Sequence, residues 1–171
     1  MKKIIFLFAL FLLPVLSCFA EDPVEGYWVS IDDQNGKTTA GWHIYAEGGK
    51  LYGKILSIPD YSQDVLAAYC KKSYKGFPVA GDVSKMTVLG TPWIFGLTME
   101  SYGHWTGGNI IDPNNGGMYN CKITFHPAGE LGKGKKNYSA DTLEMRAEVG
   151  MGIGRSQFWR KCTQAEAVSL R

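Results

Sequence analysis

The chain carries almost no net charge. Its 171 residues hold 18 Lys and Arg against 16 Asp and Glu, and setting aside Lys2 and Lys3 at the extreme N-terminus leaves 16 of each sign. No overall field draws in nucleic acid or an anionic surface. Basic clusters remain at Lys71-Lys72-Lys75 and Lys133-Lys135-Lys136, and solvated loops account for both. Cysteine is scarce, with four in all, and no CxxC or Cys/His spacing points to zinc. The histidines His43, His104 and His126 lack HExxH or HxxxH spacing. There is no G-x-S-x-G elbow and no Ser/His/Asp set in recognisable order. Gly150-Met151-Gly152-Ile153-Gly154 is rich in glycine, but no helix start or Lys-Ser/Thr follows to hold a phosphate, so it reads as a hairpin or bulge. These absences leave no catalytic residue, metal ligand or cofactor to assign, and the expectation is a protein without catalysis.

Long apolar runs are also lacking, with one exception. Lys2 and Lys3 precede an apolar stretch from Ile4 to Leu16, small residues follow around Ser17 to Ala20, and the chain then turns acidic at Glu21-Asp22. The stretch is too short to span a bilayer and has the layout of a secretory signal peptide over residues 1–20. Export to the periplasm or the medium is therefore expected. Cys18-Phe19-Ala20 reads as a loose A-x-A cleavage site that releases a soluble chain starting at Glu21. Val15-Leu16-Ser17-Cys18 also resembles a relaxed lipobox, in which Cys18 would be lipidated and membrane-anchored. Leu16 is large for that motif, so the soluble form is preferred, and membrane attachment is expected only through Cys18. Residues 21–171 suit one domain. In an oxidising compartment Cys70, Cys121 and Cys162 permit at most one internal bridge, and spacing does not choose the pair.

What the chain has in quantity is glycine and aromatics, arranged in short period-two runs broken by turn residues, which is the pattern of strands. Gly26 to Ile31 is a first strand. Gly41 to Ala46 and Leu51 to Ile58 form a hairpin about Glu47-Gly48-Gly49, with Trp42, Ile44 and Ala46 on one face. Strand character returns at Thr87 to Leu89, Trp93 to Met99 and Tyr102 to Ile111. Asp112-Pro113-Asn114-Asn115-Gly116-Gly117 makes a turn. It shares Asp112, Asn114 and Gly116 with a calcium loop, but Ile123 stands where such a loop needs an acid. Met118 to His126 then alternates, with Tyr119, Cys121, Ile123 and Phe125 facing one way. Leu143 to Val149 and Arg155 to Cys162 complete the set, and the tail after Thr163 reads as a short helix.

Eight strands without crossover helices give an all-β antiparallel fold, and closure into an up-and-down barrel removes the exposed edges. Between Pro59 and Met86 the alternation stops, and Val65, Leu66, Ala68 and Tyr69 predict a short helix within Asp64 to Lys72. A connection this long inside a compact domain is expected to act as a lid, plug or docking surface, here over the mouth of the barrel.

Gly26-Tyr27-Trp28 on the first strand, with Arg155 and Arg160 on the last, resembles the calycin superfamily, which includes the lipocalins. The resemblance implies that Trp28 plugs one end of the barrel beneath an arginine, with Gly26, Arg155 and Arg160 completing the closure. A second resemblance spans nearly the whole mature chain. Gly26-Tyr27-Trp28, Gly53-Lys54-Ile55, the segment from Trp105 to Pro113, Gly116 with Tyr119, and the segment from Gly154 to Arg160 are similar to the bacterial family called domain of unknown function 2147. Its members are small exported proteins, and a lone Cys70 stands here where they often carry paired cysteines. The implied fold is a lipocalin-like barrel, with no implied activity.

The aromatic side chains would fill a small barrel, or they would line an apolar pocket. The functional expectation assigns Trp42, Trp93, Phe95, Trp105 and Tyr119 to a cavity holding a small apolar or amphipathic ligand. The alternative is an envelope or host-facing interaction module that uses the barrel as a scaffold, marked by an exposed apolar patch with no cavity behind it.

Overall fold

Each of eight strands pairs antiparallel with the next, and the last returns to the first, so the sheet closes on itself. The strands are β1 (Gly26–Ile31), β2 (Thr38–Glu47), β3 (Lys50–Ser57), β4 (Pro92–Ser101), β5 (His104–Asp112), β6 (Gly117–His126), β7 (Thr142–Gly150) and β8 (Ile153–Lys161). The computed structural model describes residues 21–32, 34–132, 137–150 and 152–170. Residues 1–20, where a signal segment is expected and which include Cys18, and the cluster Lys133-Lys135-Lys136 lie outside the described residues.

Tight turns join most strands because glycine supplies the backbone they need. Gly48 and Gly49, with φ of 58° and 75°, turn β2 into β3, and Gly103 at 77° turns β4 into β5. The register follows the alternation in the sequence. On β6 and β7, Cys121 pairs with Ala147, Ile123 with Met145 and Phe125 with Leu143. The inner face thus receives one apolar row, while Lys122 and Arg146 share the wet face of the same rungs. The seam between β1 and β8 is short and rests on Trp28 opposite Lys161 and Val29 opposite Arg160.

A five-residue helix, α1 (Gln164–Val168), follows β8, and the Thr163 side chain caps it by accepting from Glu166 N. It packs on the outer wall over Gly41, where a Cβ would fall 1.9 Å from the Ala167 carbonyl oxygen. Only glycine admits that approach. The Ser57 hydroxyl donates to the same oxygen at 2.7 Å, and Ala167 is fully buried.

The long connection between β3 and β4 departs from expectation. Asp64 to Lys72 forms turns instead of a helix, because its backbone pairs elsewhere. Ala67 N donates to Met86 O, Val88 N donates to Val65 O, and Leu66 makes a bridge with Thr87. These bonds compete with the i to i−4 bonds a helix would need. They also reduce the strand expected at Thr87 to Leu89 to that single bridge. The only helical turn described in this connection is a 3₁₀ turn at Val83–Lys85, capped by Asp82.

Candidate ligand-binding site

Register tells the two ends of the barrel apart. At one end Trp28 is fully buried, and its indole N–H donates to Val24 O at 2.9 Å. Phe125 meets it edge-on with centroids 6.4 Å apart. Asp22 seals this end from the side. Its carboxylate accepts from Val24 N, Gly103 N and Trp105 Nε1 at 3.0 to 3.2 Å, so the buried acid is fully partnered. The cation over the Trp28 ring is Lys161, with Nζ 5.3 Å from the centroid. Arg160 points the other way and pairs with Glu166 of α1. This corrects the expected arginine lid: Trp159 and Lys161 share the inner parity of β8, and Arg160 lies between them on the outer face. Gly26 at the start of β1 has φ of 117°, a conformation open to glycine alone, and Arg155 stands at the opposite end of the barrel.

That opposite end is hollow. A cavity of about 690 Å³ opens among the β1–β2, β3–β4, β5–β6 and β7–β8 connections. Trp42 lines its floor and is backed by Trp159, on which it stacks with ring centroids 4.8 Å apart and planes at 22°. Both indoles are anchored: Trp42 Nε1 donates to Ser30 Oγ, and Trp159 Nε1 donates to Gln157 Oε1. The walls come as register pairs, Ile110 with Tyr119 and Ala147 with Arg155. Val149 and Ile153, 70% and 64% exposed, form an apolar lip at the β7–β8 turn.

Of the five aromatic residues assigned to the pocket, the structure brings Trp42 and Tyr119 to the cavity. Trp105 belongs to the sealed end through Asp22. Trp93 and Phe95 face outward. Inner and outer faces alternate along β4, and Ile94 takes the inner one, within 3.1 Å of where a Gly53 Cβ would stand among the barrel interior. Phe77 of the long connection covers both outward rings, with centroids 6.2 Å from Trp93 and 5.3 Å from Phe95. Most of that connection is therefore an outer buttress. Ile58 and Tyr61 of it line the cavity. Gln157 and Met145 were not assigned, although parity with Trp159 along β8 and with Leu143 along β7 places them inside.

The described thiols Cys70, Cys121 and Cys162 are all free. Cys121 sits below the cavity on the inner face, and burial pushes its thiol well up. Burial also raises the Cys70 thiol, and with help from Cys70 it takes the Tyr74 hydroxyl up to about 12. Tyr74 donates to Gly116 O at 2.9 Å and so ties the buttress to the β5–β6 turn. In that turn Asp112 accepts from Asn114 N and Asn115 Nδ2.

A family model described as an uncharacterized protein conserved in bacteria, domain of unknown function 2147, matches residues 26–161. The chain belongs to that family. The match runs from the first residue of β1 to the last of β8, so the family's conserved unit is the barrel itself. The solved structure of HP1028 from Helicobacter pylori, described as belonging to the lipocalin family, is similar with a TM-score of 0.59 and 15% identity. The likeness covers 83% of this chain and 84% of that one. At this identity it concerns the fold, and it makes this family member a lipocalin-like barrel. No curated protein matches the chain.

Proposed function

We propose that this protein is an exported carrier that holds a small, largely apolar or amphipathic molecule in the open half of its barrel, without catalysis. The cavity of about 690 Å³ supports this reading most directly. It falls within the range of small-molecule sites, roughly 300 to 1,000 Å³. Its shape also favours uptake, since the sealed end leaves one route in and the aromatic floor gives an apolar ligand a flat, buried contact. The interaction-module alternative called for an apolar patch with nothing behind it. The Val149 and Ile153 lip has the cavity behind it and suits an entrance.

Binding of the neutral fluorophore N-phenyl-1-naphthylamine is the test. The native protein is expected to enhance its emission saturably. Ala147→Trp, which places an indole in the cavity, is expected to abolish the enhancement while circular dichroism stays that of the native barrel. Equal enhancement by both proteins would overturn the reading.

A further inference from the structure

We propose that the ligand carries a neutral oxygen acceptor, a carbonyl of the ketone, ester or amide type, which accepts from the side-chain amide of Gln157 while its apolar body lies against Trp42. This deepens the carrier reading above and rests on it. Gln157 lines the cavity and stands on β8 two residues before the buried Trp159, so the two side chains share the inner face. Its cross-strand partner Met145 lines the cavity as well.

The indole behind the floor fixes which end of the amide a ligand meets. Trp159 Nε1 can only donate, and it donates to Gln157 Oε1 at 3.1 Å. The amide Nε2 is left with its N–H donors and no partner among the described residues. Every fully buried side-chain polar atom among those residues is partnered, so this unpartnered Nε2 opens on the cavity. Other polar groups of the lining are engaged or stand further out. Ser30 Oγ is bonded to Thr39 Oγ1, Ala40 O and Trp42 Nε1. The Tyr119 hydroxyl lies toward the first residue of β6, at the mouth, 2.5 Å from where a Gly117 Cβ would stand. Arg155, one rung nearer the mouth, is already engaged.

A neutral donor held beside an apolar floor selects the chemistry. A carbonyl oxygen gives up little hydration and recovers it in one bond to the amide. A carboxylate would lose far more water than one neutral N–H returns, and a hydrocarbon would leave the amide unpaired beneath it.

Competition against N-phenyl-1-naphthylamine by 2-acetylnaphthalene and by 2-isopropenylnaphthalene, which has CH₂ in place of the ketone oxygen, tests this. The ratio of ketone to alkene affinity is expected to be about fivefold higher for the native protein than for Gln157→Met, the factor expected of one neutral hydrogen bond. Gln157→Glu, ionised at about pH 8, keeps an oxygen for Trp159 but loses the donor, and is expected to lower the ratio at least as far. In the native complex the isotope-labelled ketone carbonyl is expected to stretch at lower infrared frequency than in alkane solvent. A stretch at the alkane position, or a ratio unchanged in both variants, would overturn the acceptor assignment and leave the carrier reading standing. Tighter binding of 2-naphthoate than of the ketone, or failure of ketone and alkene alike to compete, would overturn it equally. Absence of N-phenyl-1-naphthylamine binding by the native protein would overturn the carrier reading with it.

Discussion

Lys161 Nζ stands 5.3 Å from the centre of the Trp28 ring, on the rung where β1 and β8 close the barrel. The plug and its cation make unequal contributions. Trp28 is wholly buried, so Trp28→Ala removes a large core side chain and is expected to destabilise by about 3 to 5 kcal/mol. The ammonium acts from the surface, and Lys161→Met is expected to cost about 1 kcal/mol or less. Arg160→Met is expected to leave the Trp28 environment unchanged. Urea denaturation gives the stabilities and native-state tryptophan emission reports the Trp28 environment; an emission change in Arg160→Met that Lys161→Met does not share would contradict the assignment of the cation.

The approach of α1 to Gly41 yields a second prediction. A methyl at this position would collide with the Ala167 carbonyl, which is backbone and cannot swing aside. Gly41→Ala is expected to detach α1 and to destabilise the chain by about 1 to 3 kcal/mol. In a chain ending at Thr163 the same substitution is expected to cost almost nothing. The coupling between the two changes, read by a double-mutant cycle, is the measurement.

Acid is expected to weaken the wall beside the cavity mouth. The Arg146 guanidinium, with Lys122 second, holds the Glu148 carboxyl below the usual range for a glutamate. Its folded pKa lies under the unfolded value of about 4.3, so this contribution is complete above that pH and is lost as pH falls through the folded value. Arg146 also donates to Gly152 O at 2.7 Å and so holds the β7–β8 turn. Melting temperatures between about pH 5 and about pH 3 are expected to fall less steeply for Glu148→Gln than for the native chain. Parallel curves would count against the pairing.

Thiol accessibility separates the three described cysteines. Burial raises all three, but Cys162 is the least enclosed and Cys121 lies on the inner face of the barrel. An aromatic disulfide reagent at mildly alkaline pH is expected to titrate Cys162 first and Cys70 more slowly, with Cys121 reacting only on global unfolding. Prompt reaction of Cys121 in the native protein would mean that the barrel opens locally.

Much of the fold was legible because one-sided strands announce themselves. β6 alternates Tyr119, Cys121, Ile123 and Phe125 against polar neighbours, and its inner face follows directly. β4 does not alternate. Trp93, Ile94 and Phe95 are consecutive and all buried, since the buttress covers the outer face, and Gly96 at φ of 75° shifts the phase before Leu97. Nothing local says which of the three looks inward. The closing cation differs in kind: the parity of Trp159 selects Lys161, and the motif resemblance drew attention to the arginines instead. The cavity itself has no local signature, because emptiness depends on how side chains from several strands fall short of one another.

The buttress separates stability from binding, and Phe77 is the place to see it. Its ring covers Trp93 and Phe95 on the outside of β4, with the barrel wall between it and the cavity. Phe77→Ala exposes those two rings and is expected to destabilise by about 2 kcal/mol, less than a fully buried phenylalanine because Phe77 is itself only half-buried. A lid would behave differently, since losing its anchor would open the mouth and change ligand dissociation. The expected result is a lower denaturation midpoint with unchanged affinity for N-phenyl-1-naphthylamine at temperatures where the variant stays folded. A faster off-rate in Phe77→Ala would restore the connection to the role of a cover over the mouth.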